Sequence, residues 1–148
     1  MTARFHLLLA VVVVVVTACG ASDEERWLAH LLENPMASVT LPFAEPVARV
    51  EFKGDFDPWI GIAERALVMT RWEFEDEDQL LEALDILVEQ AEDAGFELEA
   101  RHDHQSFGGS WTYVGTSDSV SLRISGSVPP ITSISPNPRP AQVSVSLQ

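Results

Sequence analysis

The 148-residue chain has a single cysteine, so no internal disulfide can staple the fold. Positive charge is also scarce: 9 Lys plus Arg stand against 23 Asp plus Glu, a net charge of −14. A chain this acidic lacks the basic face that phosphate backbones require, which excludes a nucleic-acid partner. No apolar run reaches the ~20 residues needed to span a bilayer. Glycine loops of the Walker or dinucleotide-binding type are missing, and so is the Gly-x-Ser-x-Gly elbow of a serine hydrolase. No EF-hand loop and no internal repeat are present. With no catalytic constellation in view, the chain reads as non-enzymatic and without a cofactor.

Apolar residues make up 46% of the chain and charged residues 22%, the composition of a globular protein. The length suits one domain, large enough to fold without cross-links. The first eighteen residues are set apart from the rest. Arg4 gives a positive start, and Phe5 to Val16 is apolar apart from His6, with valine at every position from 11 to 16. This is the layout of a secretory leader, with small residues offering cleavage after Ala18 or Ala21.

Val16-Thr17-Ala18-Cys19 closes the apolar run, and Cys19 is the only cysteine. This tetrad resembles the lipobox of bacterial lipoproteins. The resemblance covers the leader alone. It implies cleavage before Cys19, a diacylglyceryl group on the Cys19 thiol and acylation of the new amino group. The expected organisation is a signal peptide at 1–18, a lipidated tether at 19–22 and one domain at 23–148. Two or three acyl chains hold a protein stably on a bilayer. The expected location is therefore the extracytoplasmic side of a bacterial cell membrane, or an outer membrane where there is one. Gly20 rather than Asp follows Cys19, so the inner-membrane retention signal is absent.

Charge is uneven along the chain. Residues 22–103 hold 22 acidic and 6 basic residues, whereas 104–148 hold only Asp118, Arg123 and Arg139. Ser22 to Glu33 reads as a short helix opened by a Ser22–Glu25 capping box, with Trp27, Leu28, Leu31 and Leu32 on one face. Asn34-Pro35 ends it, and Met36 to Pro46 reads as extended loop. Val47–Phe52 and Arg65–Phe74 alternate as strands, the second burying Val68, Thr70, Trp72 and Phe74. The clearest element is a helix over 77–94. Asp76 caps it, Leu80, Leu84, Leu87, Val88 and Ala91 form its stripe, and Gly95 ends it. Phe96–Arg101 alternates again, and Gln105–Ser110 reads as loop. A hairpin is expected from Trp111–Val114 and Ser119–Ser125 around Gly115–Asp118, with Val120, Leu122 and Ile124 inward. A proline-punctuated stretch then leads to a last strand carrying Val143, Val145 and Leu147. This order predicts an α+β two-layer sandwich: one long amphipathic helix on a mostly antiparallel sheet, with a short N-terminal helix.

His102 and His104 are the candidate metal ligands. In an extended chain they point the same way and could pinch one ion, with Glu99 or Gln105 completing the set. The plainer alternative is a solvated strand end. Glu75 to Asp78 and Asp55-Phe56-Asp57 are thin calcium fragments, and a helix start already accounts for the first. Among Trp59, Trp72, Trp111 and Tyr113, the alternation puts Trp72 in the core. Trp111 and Tyr113 are the best candidates for an exposed binding pair, against the plainer alternative of core packing. The partners expected are the membrane, through lipid on Cys19, and an envelope protein whose basic patch is steered to the acidic segment.

Overall fold

The computed structural model describes residues 22–57, 62–105, 108–129 and 140–148. Trp59, the leader and most of the proline-punctuated stretch lie outside the described residues. The architecture is α+β: a six-stranded antiparallel sheet with two helices on one of its faces, and a separate two-stranded ribbon.

Helix α1 spans Asp23–Glu33, and both halves of its capping box form. The Glu25 N–H donates to Ser22 Oγ at 3.2 Å, and the Ser22 N–H donates to Glu25 Oε2 at 3.1 Å. Leu31 is fully buried, Trp27 and Leu28 are half-buried against the core, and Leu32 is exposed. Asn34 ends the helix, and its side chain accepts from the Met36 N–H, opening a 3-10 turn at Pro35–Ser38. The expected extended loop of Met36 to Pro46 is corrected at its start, where this turn forms; 39–46 holds no helix or named strand. Met36, Ala37, Val39 and Leu41 are all buried and extend the core beneath the sheet. Ala37, Val39 and Leu41 alternate with exposed Ser38 and Thr40, as on a strand with one buried side.

The strands follow as β1 (Ala48–Phe52), β2 (Asp55–Asp57), β3 (Ile62–Glu64) and β4 (Leu67–Phe74). After helix α2 (Glu77–Asp93) come β5 (Glu97–Gln105), β6 (Gly108–Ser117), β7 (Val120–Val128) and β8 (Ala141–Leu147). The large sheet runs β1-β4-β8-β7-β6-β5, and β2 pairs with β3. The last strand thus lies in the middle of the sheet, between β4 and β7. Both sheet edges carry charge that discourages further pairing. An Arg49–Glu51 ion pair sits on β1 at 2.9 Å and an Arg101–Glu99 pair on β5 at 3.5 Å.

Alternation decides which face is buried. Val68, Thr70, Trp72 and Phe74 of β4, Val120, Leu122 and Ile124 of β7, and Val143, Val145 and Leu147 of β8 all face the helices. Helix α2 closes this core with Leu80, Ala83, Leu84, Leu87 and Ala91. Asp76 caps it by accepting the Gln79 N–H at 2.9 Å. At its end Gly95 takes φ +85°, and the Phe96 N–H donates to the Ala91 carbonyl at 3.0 Å. This is the left-handed cap read from the sequence. The hairpin is displaced from its expected position. Asp118 and Ser119, with φ 46° and 70°, make the tight turn, and Gly115 lies inside β6. Gly108 to Ser110 are likewise strand rather than loop.

Two glycines permit close approaches, one between the layers and one between neighbouring strands. A Cβ on Gly126 would come within 2.9 Å of Leu84 Cδ1, so α2 seats its leucines directly on β7. A Cβ on Gly115 would stand 2.5 Å from the Glu97 carbonyl oxygen. Because that neighbour is backbone, Gly115→Ala is expected to cost about 1–3 kcal/mol of stability. Leu84→Ala, which empties the contact over Gly126, is expected to cost about 2–5 kcal/mol. Urea denaturation midpoints measure both.

Candidate functional site

The helices cover one face of the sheet. The other face is built from the alternate residues of the same strands, and the register lines them up in rows. One row runs Arg71 (β4), Ser144 (β8), Ser125 (β7), Thr112 (β6) and Arg101 (β5). The next runs Met69, Ser146, Arg123, Val114 and Glu99. Among the described residues no helix or strand packs over these rows. A shallow cavity of about 320 Å³ opens there, lined by Val114, Ser121, Leu122, Arg123, Ser146 and Gln148.

The two central arginines have no acidic partner among the described residues. Arg71 is half-buried, and its Nε–H is fully enclosed with no hydrogen-bond partner. Such an orphan donor costs roughly 1–3 kcal/mol, more when charged. Arg123 is exposed, and the Ser146 hydroxyl donates to its backbone carbonyl at 3.5 Å. The face does carry acids. Glu73 accepts from Gln142 Nε2 at 3.0 Å, Glu99 pairs with Arg101, and Glu97 is exposed. These lie on β4 and on the β5 edge; no acid stands on β7 or β8.

The helix side has the opposite character. Helices α1 and α2 together hold eleven acidic residues and one basic residue, Arg26. The helix layer is therefore acidic, and the hydroxyl-lined sheet face is mixed: Arg71, Arg101 and Arg123 share it with Glu73, Glu97, Glu99 and the Asp103 position. No periodicity rule points to this face, because its serines and threonines read only as the polar half of each alternation.

The predicted aromatic pair is corrected. Trp111 is 7% exposed and belongs to the core, and Tyr113 is half-buried against it. Both sit in phase with buried residues of β7, Trp111 opposite Gly126 and Tyr113 opposite Ile124. The Trp111 ring folds back over Gly109, where a Cβ would come within 2.6 Å of it. The small residues that looked like a flexible approach in fact make room for the indole. Trp72 is fully buried as predicted, and its indole N–H lacks a hydrogen-bond partner.

His102 and His104 both lie on β5, at positions paired with Trp111 and Gly109. Their side chains fall outside the described residues. Glu99 and Gln105 occupy the other phase of the strand from positions 102 and 104. Among the described residues no three His, Cys, Asp or Glu side chains cluster as metal ligands would. Glu77 and Asp78 of the acidic run Glu75–Asp78 lie in the first turn of α2, and Asp76 is its cap.

One titration is displaced. Burial, and secondarily the carboxylate of Asp85 on α2, push the Tyr113 hydroxyl above its ordinary pKa of 10.0. The folded state thus holds the neutral phenol more tightly than the unfolded chain does. Its contribution to stability is complete below the unfolded pKa and is lost as pH rises through the folded one. Ultraviolet titration of the phenolate should give a midpoint above 10.0, and Asp85→Asn should lower it. Compared with known proteins, the chain matches no family model, no curated protein and no solved structure.

Proposed function

We propose that this chain is a lipid-anchored domain of the bacterial cell envelope that acts by binding a protein partner rather than by catalysis. The lipobox-like Val16-Thr17-Ala18-Cys19 supports the anchor. Among the described residues no helix is long and apolar enough to cross a membrane, which is compatible with a lipid anchor. Only three residues separate Cys19 from the start of α1 at Asp23, a tether that would keep the domain close to the bilayer.

The observation that carries the binding role is the separation of charge. Eleven acids against one base on the two helices would be repelled by anionic headgroups, so the acyl chains and not the surface would hold the domain. The same layer would steer a partner with a basic patch. Crosslinking the lipidated protein in its own membranes should enrich one stoichiometric partner, with capture falling as salt rises. Capture that is indifferent to salt removes the electrostatic role. Cys19→Ala should release the chain from the membrane fraction, and an unmodified Cys19 thiol in the intact mass would overturn the anchor.

A second reading, an envelope metal-binding protein, is favoured by one feature. Strand β5 stays extended through Gln105, so His102 and His104 stand at alternate positions of one strand. Titration with Zn²⁺ or Cu²⁺ tests it. On this reading binding is tighter than millimolar and weakened at least tenfold by His102→Ala or His104→Ala.

A further inference from the structure

Strand β1 forms one edge of the large sheet, and among the described residues no strand pairs with its outer side. Its register on β4 sorts its side chains between the two faces. Arg49 and Glu51 stand opposite Thr70 and Val68 on the helix side, and Ala48, Val50 and Phe52 stand opposite Arg71, Met69 and Leu67 on the open side. Val50 is 40% exposed, unusual for a large apolar side chain of this domain. Arg49 is held in place: its Nη1 donates to the Ala37 carbonyl at 2.8 Å and its Nε to Glu51 Oε1 at 2.9 Å. A guanidinium fork fixed in this way loses little freedom when it meets a further carboxylate.

The five residues of β1 are complementary to themselves under a two-fold rotation. With a second β1 laid antiparallel beside the first and Val50 facing Val50, Arg49 stands opposite Glu51 of the second copy and Glu51 opposite its Arg49. On the other face Ala48 meets Phe52 and Val50 meets Val50, a wholly apolar row. Directly opposed Cβ atoms lie ~4.5–5.5 Å apart, closer than the ~6.8 Å between alternate residues of one strand. The four charges then form a ring of alternating sign. Charge on a sheet edge turns away strands in general, but the order of charge on β1 admits a copy of itself. The β5 edge lacks this property. Paired with itself about Ala100, it sets Glu97 against the Asp103 position; paired about Arg101, it sets Arg101 against itself and Glu99 against the Asp103 position.

We infer that two copies of this chain associate by antiparallel β1–β1 pairing about Val50, joining two six-stranded sheets into one continuous sheet across a two-fold axis. The symmetry is closed, so association stops at two copies and leaves no β1 edge free. Each chain carries a net charge of −14, but screening within ~8 Å at physiological salt leaves the decision to the charges close to the seam. A contact through one five-residue strand is small beside the ~800 Å² per partner of a standard interface, so the dimer is weak and reversible. The inference goes beyond the envelope-binding reading and needs neither the lipid anchor nor the histidines. A shared membrane would only raise the local concentration.

The test is sedimentation equilibrium of the full chain in density-matched nonionic detergent. A monomer–dimer equilibrium is expected for the wild type. Glu51→Arg and Arg49→Glu should each weaken self-association at least about tenfold, since each places like charges across the seam. An equimolar mixture of the two variants should associate again, because every opposed pair is then of opposite sign. That rescue is a result that loss of folding cannot produce. A second measurement keeps the wild-type charges. Opposed Cα atoms in an antiparallel pair lie ~4.5–5.5 Å apart, within the reach of a disulfide. Val50→Cys should therefore oxidise to a covalent dimer, above the background set by Cys19 in the parent chain, and Ala100→Cys on the β5 edge should not. A wild-type chain that stays monomeric up to about 1 mM overturns the inference. So does a mixture that fails to associate although both variants are folded by circular dichroism, or a Val50→Cys chain that crosslinks no more than the parent.

Discussion

Leu80 and Leu84 of α2 resting on Gly126 of β7 form the contact on which the rest of the structure depends. A sheet buries one face only if something apolar can approach it closely. Gly126 removes the one side chain that would hold the helix away from the middle of the sheet. The α2 stripe then reaches the aliphatic residues of β7 and β8 and the indole of Trp72 beneath it. Because α2 occupies that face and α1 joins it beside β4, the acidic surfaces of both helices are turned outward together. The other face of the sheet is left to its hydroxyls and arginines.

That division has an electrostatic consequence. A net charge of −14 would repel any anion if it were spread evenly over the surface. The two helices hold eleven of the 23 acids, and Arg123 is the only charge on β7 and β8. The flanks of the open face are mixed in sign, since Arg71 stands one alternate step, ~6.8 Å, from Glu73 on β4.

Much of the fold was legible because local rules and burial agree. The capping box at Ser22–Glu25, the Asp76 cap, the leucine stripe of α2, the Gly95 stop and the alternation of β4, β7 and β8 each follow from side chains within one or two turns or strand steps of each other. The errors fell where the determining contact is remote. The burial of Met36 to Leu41 rests on the underside of β4 and β8, which the alternation of Ala37, Val39 and Leu41 could not identify by itself. Trp111 looked available because glycines preceded it, yet Gly109 makes room for its ring. His102 and His104 lie at alternate positions of extended β5, with Glu99 and Gln105 in the other phase.

By itself the sequence determined the two helices, their caps and the buried side of β4, β7 and β8, because these depend on backbone geometry and on neighbours a few residues away. It also determined the acidity of the helices and the lipobox-like leader, which are properties of composition and order. Only the tertiary structure decided that β8, last in the chain, lies between β4 and β7, because pairing partners about seventy residues apart leave no local pattern in the sequence. That placement brings Ser144 and Ser146 between Arg71 and Arg123, four residues drawn from three strands that no local pattern connects. The candidate site is for this reason a property of the sheet order, and the sheet order is a property of the packing.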